Sequence, residues 1–212
     1  MTDGLRIWSR GGLERRERLG LINFCKQLWW ELRSWQGRLE YNYELVRNIP
    51  GHLGTVLRCR MISRKFARCG RGLLILTGAR FRNPHKIACG DNVLIGNDVM
   101  IQAGGGVELA DNVMLGPGVH LWTQNHRFDD LERPVAQQGY EYAAVSLGRD
   151  CWVGTNAIIL PGVVLPQGCV VSAGSVVGVK QYKEYSILMG NPARVIGFRS
   201  TSKGGEGDSE SA

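Results

Sequence analysis

Aliphatic residues recur at every sixth position through the second half of the chain. The first column contains Leu147, Val153, Ile159, Leu165, Val171 and Val177. A second column, two positions earlier, contains the small or β-branched residues Val145, Cys151, Ala157, Val163, Cys169 and Ser175. An α-helix repeats about every 3.6 residues and a strand about every two, so neither alone keeps a period of six. Short strands that are joined by turns and wound into a coil do keep it. The pattern therefore predicts a parallel β-helix of hexapeptide repeats.

The same two columns extend upstream as far as Ile87. They contain Ile87, Cys89, Val93, Ile95, Val99, Ile101, Val107, Leu109, Val113, Leu115, Val119 and Leu121. The step grows from six to eight residues at the run Gly104-Gly105-Gly106, which supplies two extra residues. It grows to 26 between Leu121 and Leu147, which predicts a loop inserted over residues 122–146. Three hexads per turn predict a triangular coil, and a loop inserted in so regular a scaffold is a candidate for carrying function.

The first part of the chain has a helical pattern instead. Apolar residues at three- and four-residue steps predict a helix from about Leu13 to Val46, which Ile49-Pro50-Gly51 ends. A second helix is predicted from about His52 to Phe66, with one apolar face made of Leu53, Val56, Leu57, Met61 and Ile62. The predicted fold class is therefore mainly β, a parallel β-helix with an N-terminal α-helical extension. We expect the extension to cover residues 1–69, the β-helix 70–199 and a disordered tail 200–212.

Charge divides the chain into two unlike parts. Residues 1–86 contain 18 Lys and Arg against 6 Asp and Glu, whereas residues 87–212 contain 8 against 13. Trp29, Trp30 and Trp35 lie among the cations of the helical part. Two interpretations stay open: the tryptophans pack in a helical core, or they form an amphipathic surface for peripheral contact with an anionic membrane. Nucleic acid is not an expected partner, because no RNA- or DNA-binding motif accompanies them.

Cysteine usage and hydropathy predict the compartment. The six cysteines have neither paired nor metal-ligand spacing, and three of them occupy the inward columns, where a free thiol behaves as a small apolar residue. No signal peptide opens the chain, and no apolar run approaches the roughly 20 residues that a membrane span needs. We expect a cytoplasmic protein, and the basic extension adds the hypothesis of a peripheral position at the inner face of the membrane.

Four motifs carry a resemblance to a known family. They are Asp150-Cys-Trp-Val-Gly, Ile159-Leu-Pro-Gly-Val, Ala173-Gly-Ser-Val-Val and Gly190-Asn-Pro-Ala-Arg-Val-Ile196. Over roughly residues 70–199 the chain resembles the left-handed β-helix acyltransferases, in particular the branch of maltose/galactoside and polysaccharide O-acetyltransferases. The resemblance implies a left-handed triangular coil, a homotrimer with active sites between subunits, and acetyl-CoA as the donor.

The resemblance also implies a catalytic residue. His126 follows the last regular hexad before the inserted loop, at the offset of the family's catalytic histidine, and acyl transfer to a hydroxyl needs one such general base. Candidates for orienting or supporting it are Asn125, Asp129, Asp130 and Glu141. The family often has an oxyanion-binding asparagine where this chain has Gly96. The oxyanion donor therefore stays open between the neighbouring Asn97 and backbone N–H groups.

Positions that match the family's donor site lie further along the chain. The residues implied to bind coenzyme A are Trp152, Thr155, Ala173, Gly174, Lys180, Arg194 and Arg199. The position of Trp152 in the six-residue repeat predicts that its side chain faces outward. An outward tryptophan is expected to pack against the pantetheine chain or to line the acceptor cleft. Thr155, Ala173 and Gly174 match positions where backbone groups pair with pantetheine amides. The three cations suit phosphate groups, although Lys180 is displaced by one residue from the family's pattern.

The predicted function is O-acetylation of a sugar hydroxyl, with acetyl-CoA as co-substrate and no metal. The acceptor would be a polysaccharide, a lipopolysaccharide or a lipid-linked glycan precursor. One alternative is a zinc-dependent γ-type carbonic anhydrase, which shares the coil and would need His85, His120 and His126 as ligands. A second alternative is N-acylation of an amino sugar, since the same base serves an amine. A third is a non-catalytic assembly scaffold.

Overall fold

The computed structural model describes residues 21–200, except for the side chains of residues 21–24, 27 and 35–40. Residues 1–20 and the part of the predicted disordered tail beyond Ser200 lie outside the described residues. The helices are α1 (Leu21–Arg33), α2 (Trp35–Arg47) and α3 (Gly51–Ser63). The strands are β1 (Arg68–Cys69), β2 (Leu74–Ile75), β3 (Arg80–Arg82), β4 (Ile87–Cys89), β5 (Leu94–Ile95), β6 (Met100–Gln102), β7 (Val107–Leu109), β8 (Met114–Leu115), β9 (His120–Trp122), β10 (Gln124–His126), β11 (Tyr140–Tyr142), β12 (Val145–Leu147), β13 (Trp152–Val153), β14 (Ile158–Ile159), β15 (Val164–Leu165), β16 (Val170–Val171), β17 (Val176–Val177), β18 (Ser186–Gly190) and β19 (Ala193–Phe198).

Fifteen of these strands form five stacked triangular coils. The first face of the triangle contains β1, β4, β7, β12 and β15; the second contains β2, β5, β8, β13 and β16; the third contains β3, β6, β9, β14 and β17. Neighbouring strands on each face are parallel, and β18 extends the second face before β19 returns antiparallel beside it. The predicted fold class, a parallel β-helix of hexapeptide repeats behind an N-terminal helical extension, is confirmed.

The two predicted columns line the interior of the coil. Every member from Val145 to Val177 is at most 1% exposed, and the same holds upstream except for Val107, at 3%. The structure adds one coil before the predicted start at Ile87, in which Leu73 and Ile75 occupy the same two columns and are also buried. Burial raises the pKa of the Cys89 thiol to about 12, so this interior cysteine stays protonated and apolar at neutral pH.

Each coil turns at residues with a positive φ. The residue just before the buried second-column position has this conformation at Gly72, Gly78, Asn92, Asp98, Gly106, Asn112, Gly118, Asp150, Asn156, Gly162, Gly168 and Gly174. Glycine adopts the left-handed region without a steric cost, and Asn and Asp tolerate it better than other residues. These twelve positions therefore contain only these three residue types, whereas Lys86 and Ala144 precede Ile87 and Val145 without a positive φ.

The third corner, where the chain passes from the third face to the next coil's first face, is the irregular one. Down the first face the aligned residues are Arg68, Ala88, Glu108, Ser146 and Val164, so successive coils contain 20, 20, 38 and 18 residues. Three hexads account for 18. The first two coils thus have two extra residues and the third has twenty, and the insertion lies within residues 123–144.

The helical extension differs from its prediction in two ways. Two helices, α1 and α2, occupy the place of the single predicted one, with a break at Ser34, whose hydroxyl donates to the Glu31 carbonyl at 2.8 Å. The face of α3 that is buried contains Gly54, Arg58 and Ile62, so the prediction of an apolar face through Leu53 and Val56 was wrong. Those two side chains are 65% and 44% exposed.

Arg58 explains which face of α3 is buried. Its guanidinium, in a side chain only 1% exposed, donates to the carbonyls of Ile49 at 2.7 Å and Ile75 at 3.1 Å. It thereby satisfies carbonyls both after the end of α2 and on β2. Gly54 permits the close approach, because a Cβ there would lie 1.8 Å from the Ile49 oxygen. Within residues 21–200 no helix is long and apolar enough to cross a membrane.

Candidate active site

The insertion at the third corner is an antiparallel hairpin. Strand β10 pairs with β11, with His126 opposite Tyr140, Asn125 opposite Glu141 and Gln124 opposite Tyr142. Opposite residues project on the same face of a two-stranded ribbon and successive residues on alternate faces. The His126 ring stacks against the Tyr140 ring, with centroids 4.3 Å apart, and stays exposed. Within residues 21–200 its imidazole has no hydrogen-bond partner, so both nitrogens are free to meet a ligand.

The base of the hairpin is tied to the coil beneath it. The buried Thr123 hydroxyl donates to the Gln102 carbonyl at 2.6 Å and accepts from the Gly105 N–H at 2.8 Å. The buried Gln102 side-chain oxygen accepts from the Gly104 N–H at 3.1 Å. These bonds fix where the chain leaves the coil, two residues before the hairpin reaches Asn125.

The glycine run of the coil below provides the space for the hairpin. A Cβ on Gly105 would lie 2.6 Å from the Thr123 carbonyl oxygen and 2.9 Å from the Ala143 nitrogen. A Cβ on Gly104 would lie 2.8 Å from the ring of Tyr142. The two extra residues found in the sequence at this run therefore seat the hairpin that carries His126.

The predicted supporting residues lie around the hairpin but not beside the imidazole. Glu141 lies on the opposite face of the ribbon from His126 and pairs with Arg127 at 3.6 Å. Asn125 shares that opposite face. The Asp130 carboxylate accepts from the Glu132 N–H at 3.0 Å. The structure gives Asp129 an exposed position and no described partner.

A second set of predicted residues lies at the second corner, where the chain passes from the second face to the third. Asn97, Thr155 and Ala173 occupy equivalent positions there, and Gly174 follows Ala173. Backbone hydrogen bonds join neighbouring coils at this corner. The Gly118 N–H donates to the Asn97 carbonyl at 2.7 Å, and the Gly174 N–H donates to the Thr155 carbonyl at 2.8 Å. Within the described chain, the N–H groups of Thr155 and Ala173 and the Asn97 side-chain amide have no partner. These donors lie along one edge of the coil.

Trp152 lies on β13 and is 49% exposed, as its phase predicts. Its aligned neighbours on the second face are Met114 and Val170. Met114 is also exposed, so Trp152 belongs to an apolar strip that runs from coil to coil along the second face. Such a strip suits the hydrocarbon part of a pantetheine chain.

The three predicted cations lie at three different places. Lys180 follows β17 at the third corner, and Arg194 lies on β19 opposite Met189, next to the second corner. Arg199 pairs with the Asp150 carboxylate at 2.8 Å and also donates to the Gly168 carbonyl at 3.1 Å. Lys180 and Arg194 are exposed and have no described partner, which leaves their charges available to an anion.

Sequence reasoning missed several residues of this site. Tyr140 and Tyr142 were not singled out, nor was the role of Thr123. Tyr140 and Tyr142 alternate with Glu141 just after Gly139, a pattern that predicts a short strand and was the available signal. Within residues 21–200 no three His, Cys, Asp or Glu side chains are grouped to hold a metal ion.

Comparison with known proteins finds a matching repeat and proteins of the same fold. The sequence model of the hexapeptide repeat of succinyl-transferase matches residues 86–121 and 144–178, leaving out the hairpin. A maltose O-acetyltransferase from Clostridium difficile 630 has the same fold, with a TM-score of 0.64 and 25% identity over 82% of this chain and 89% of that one. The chain thus carries hexapeptide repeats and is similar to acetyltransferases that have the same fold.

Other proteins extend this likeness. The colanic acid biosynthesis acetyltransferase WcaF of Escherichia coli K12, as that protein is named, is 25% identical over 80% of this chain and 85% of its own. A galactoside acetyltransferase solved in complex with coenzyme A shares the fold, with a TM-score of 0.67 and 23% identity over 83% of this chain and 84% of that one. The chain spans 37% and 55% of the lengths of two acetyltransferases, from Mycobacterium tuberculosis and Saccharomyces cerevisiae, to which it is 33% and 38% identical.

We predict that Gly105→Ala loosens the hairpin and leaves the coil folded. The added Cβ meets two backbone atoms, and overpacking of this kind costs about 1–3 kcal/mol. Amide hydrogen exchange in residues 124–126 and 140–142 should accelerate by roughly tenfold or more, while strands of the first two coils keep their protection.

The matched control is Gly197→Ala on β19, where a Cβ would have no neighbour within 4 Å. It should leave hairpin exchange unchanged. Unaltered protection of the hairpin in Gly105→Ala would show that the glycine run does not seat it.

Proposed function

We propose that this chain is an acetyl-CoA-dependent O-acetyltransferase that acts on a sugar hydroxyl, with His126 as the general base. The observation that carries the proposal is the exposed His126 ring, supported by Tyr140 on a hairpin that is tied to a rigid coil. A histidine is suited to this task because its ordinary pKa lies near neutral pH. The similarity to hexapeptide-repeat acetyltransferases supports acyl transfer as the reaction class.

The chemistry needs few groups beyond the base. A His126 nitrogen takes the proton of the acceptor hydroxyl while that oxygen attacks the thioester carbonyl carbon. The tetrahedral oxyanion is then stabilised by N–H donors, for which the free Asn97 amide and the backbone N–H groups of the second corner are the candidates. Collapse of the intermediate breaks the carbon–sulfur bond, and the proton held by His126 passes to the departing thiolate. The products are the acetyl ester and free coenzyme A.

The second corner is the proposed place of the donor. Unpaired N–H groups at Thr155 and Ala173 can donate to the amide carbonyls of pantetheine, and the Trp152 strip can cover its carbon chain. Gly174 leaves the edge open, since a Cβ there would meet nothing within 4 Å. Arg194 and Lys180 supply positive charge for the phosphates, whereas Arg199 is engaged by Asp150. The galactoside acetyltransferase that binds coenzyme A has the same fold.

A homotrimer follows from where these groups lie. His126 is at the third corner of the coil and the donor groups are at the second, so one chain alone separates the base from the thioester by a face of the triangle. A closed ring of three copies can bring the third corner of one chain against the second corner of the next. We therefore propose that each active site is shared between two copies, with Lys180 and His126 contributed by one of them.

The acceptor we propose is a polysaccharide, a lipopolysaccharide or a lipid-linked glycan precursor. The likeness to a colanic acid biosynthesis acetyltransferase and to a maltose O-acetyltransferase supports a carbohydrate. Trp29 and Trp30 are about 60% exposed on α1, among cations, which supports peripheral contact with an anionic membrane where lipid-linked glycans are assembled. The proposed location is the cytoplasmic face of that membrane.

We predict that His126→Ala lowers the turnover of acetyl transfer by about 10²–10⁴-fold, the usual contribution of a general base. Binding of coenzyme A and the assembly state should not change, because the imidazole contacts Tyr140 within its own chain and the groups proposed to bind coenzyme A are others, at the second corner. Transfer can be followed by release of the free thiol with maltose-type and galactose-type acceptors. An amino-sugar acceptor in parallel distinguishes O-acetylation from N-acylation.

His85→Ala is the matched comparison, because it removes an exposed histidine at the same corner in the first coil. The O-acetyltransferase proposal expects transfer close to that of the unaltered chain. Near-normal transfer by His126→Ala would contradict the proposed base. Zinc-dependent hydration of carbon dioxide that is lost equally in both variants would favour the carbonic anhydrase alternative.

A second prediction concerns the donor phosphates. Replacing Lys180 and Arg194 together with alanine should raise the KM for acetyl-CoA and affect kcat much less, because phosphate contacts act alike on the ground state and the transition state. The control replaces Arg149 and Lys183, which are exposed and change the net charge equally. A KM that rises equally in both double variants would indicate a general charge effect and would contradict the proposed phosphate site.

A further inference from the structure

A cleft of about 640 Å³ lies between α3 and the first coil, at the opposite end of the chain from the donor site. One wall contains α3 residues from His52 to Arg64, and the other contains residues from Phe66 to Leu74. It shares no residue with the His126 hairpin or the second corner. The cleft forms because Arg58 and Ile62 draw one face of α3 onto the coil while the neighbouring face stays clear of it.

The charge of this cleft is one-sided. Arg60, Arg64 and Arg68 line it, and no Asp or Glu is among its lining residues. Arg60 and Arg64 are exposed and have neither an ion pair nor a hydrogen bond within the described chain. The Arg68 guanidinium forms an ion pair with the Glu108 carboxylate at 3.3 Å. Both side chains are exposed, and an exposed ion pair is weak in water. Three guanidinium groups without a buried partner form a site for an anion, and phosphate matches their geometry.

The cleft is also apolar next to these cations. Val56 and Leu74 line it and are 44% and 49% exposed, and Phe66 forms part of its buried floor. Leu53, on the same helix, is 65% exposed. A free phosphate would leave this surface in water, whereas a phosphate that carries a hydrocarbon chain would cover it. Stacking of nucleic-acid bases is disfavoured, because no Trp or Tyr is among the described residues that line the cleft and Phe66 is buried.

We propose that this cleft binds the phosphate of an anionic membrane lipid through Arg60, Arg64 and Arg68, with the lipid's upper hydrocarbon against Val56 and Leu74. The inference rests on the peripheral membrane contact proposed above and gives that contact a defined site. Each arginine near an anionic surface contributes about 1 kcal/mol, which corresponds to roughly fivefold in partition. The cleft would hold the basic end of the coil at the membrane, where a lipid-linked acceptor is present.

The test is flotation of the full chain with phosphatidylcholine vesicles that contain or lack phosphatidylglycerol. The unaltered chain should float only with the anionic vesicles. The double variant Arg60→Glu and Arg64→Glu should lose at least roughly twentyfold in partition, at fivefold for each arginine. Val56→Ser with Leu74→Ser should weaken partition without changing charge. All variants should keep their thermal unfolding midpoint and their transfer to a water-soluble sugar, because the cleft is separate from the proposed active site.

The matched control is Arg80→Glu with Arg82→Glu on β3, which changes the charge equally on an exposed part of the same coil. It should float as the unaltered chain does. Equal loss in the control, or full flotation of the cleft variant, would overturn the lipid site and leave general membrane attraction. Unchanged flotation of the Val56 and Leu74 variant would overturn the hydrocarbon contact. Failure of the unaltered chain to float would overturn the membrane contact itself, while transfer to the soluble sugar would still test the acetyltransferase proposal.

Discussion

The backbone of this protein must turn sharply once in every six residues, and the rest of the structure depends on that constraint. A residue with positive φ precedes most of the buried second-column positions, and hydrogen bonds between stacked coils pair most of their peptide groups. The interior that results is narrow and accepts only aliphatic, small or thiol side chains. Extra residues cannot enter the faces without breaking the ladder, so they leave outward at a corner. The third corner contains all of them. Each of the first two coils has two extra residues there, and the third coil has twenty, which include the hairpin.

The site follows from the same geometry. The hairpin carries His126 away from the coil, but the glycine run and the Thr123 hydrogen bonds fix where it starts. The proposed donor groups need no loop, because open backbone N–H groups at a stacked corner already form a regular edge. The proposed base and the proposed donor edge therefore lie at different corners of one chain, which is the reason for proposing an assembly of copies. The excess of positive charge in the first part of the chain also has a defined place. Arg60 and Arg64, which have no ion pair within the described chain, line the cleft between α3 and the first coil.

The parts that the sequence predicted are those that a local period determines. The columns from Ile87 to Val177, the inserted segment and the outward phase of Trp152 all follow from counting residues. The buried face of α3 could not be found in this way. Arg58 can be buried because its guanidinium donates to the carbonyls of Ile49, which follows α2, and of Ile75 on β2. Gly54 is required only because the Ile49 carbonyl lies against it in the folded chain. The stacking of Tyr140 on His126 depends on the register of a hairpin with no hydrophobic period. The functional roles of His126 and the donor residues came from resemblance to a family and stay proposals, whereas the fold class that the same resemblance implied is confirmed.

The most direct test of the account is a crystal structure of the assembled protein with coenzyme A and a glycoside acceptor. The account predicts the pantetheine chain along the second corner, near Thr155 and Ala173, with its sulfur facing the hairpin of an adjoining copy. The acceptor hydroxyl should lie within about 3.2 Å of a His126 nitrogen, the reach of a general base. A glycoside bound away from His126, or a pantetheine chain at another corner of the coil, would contradict it.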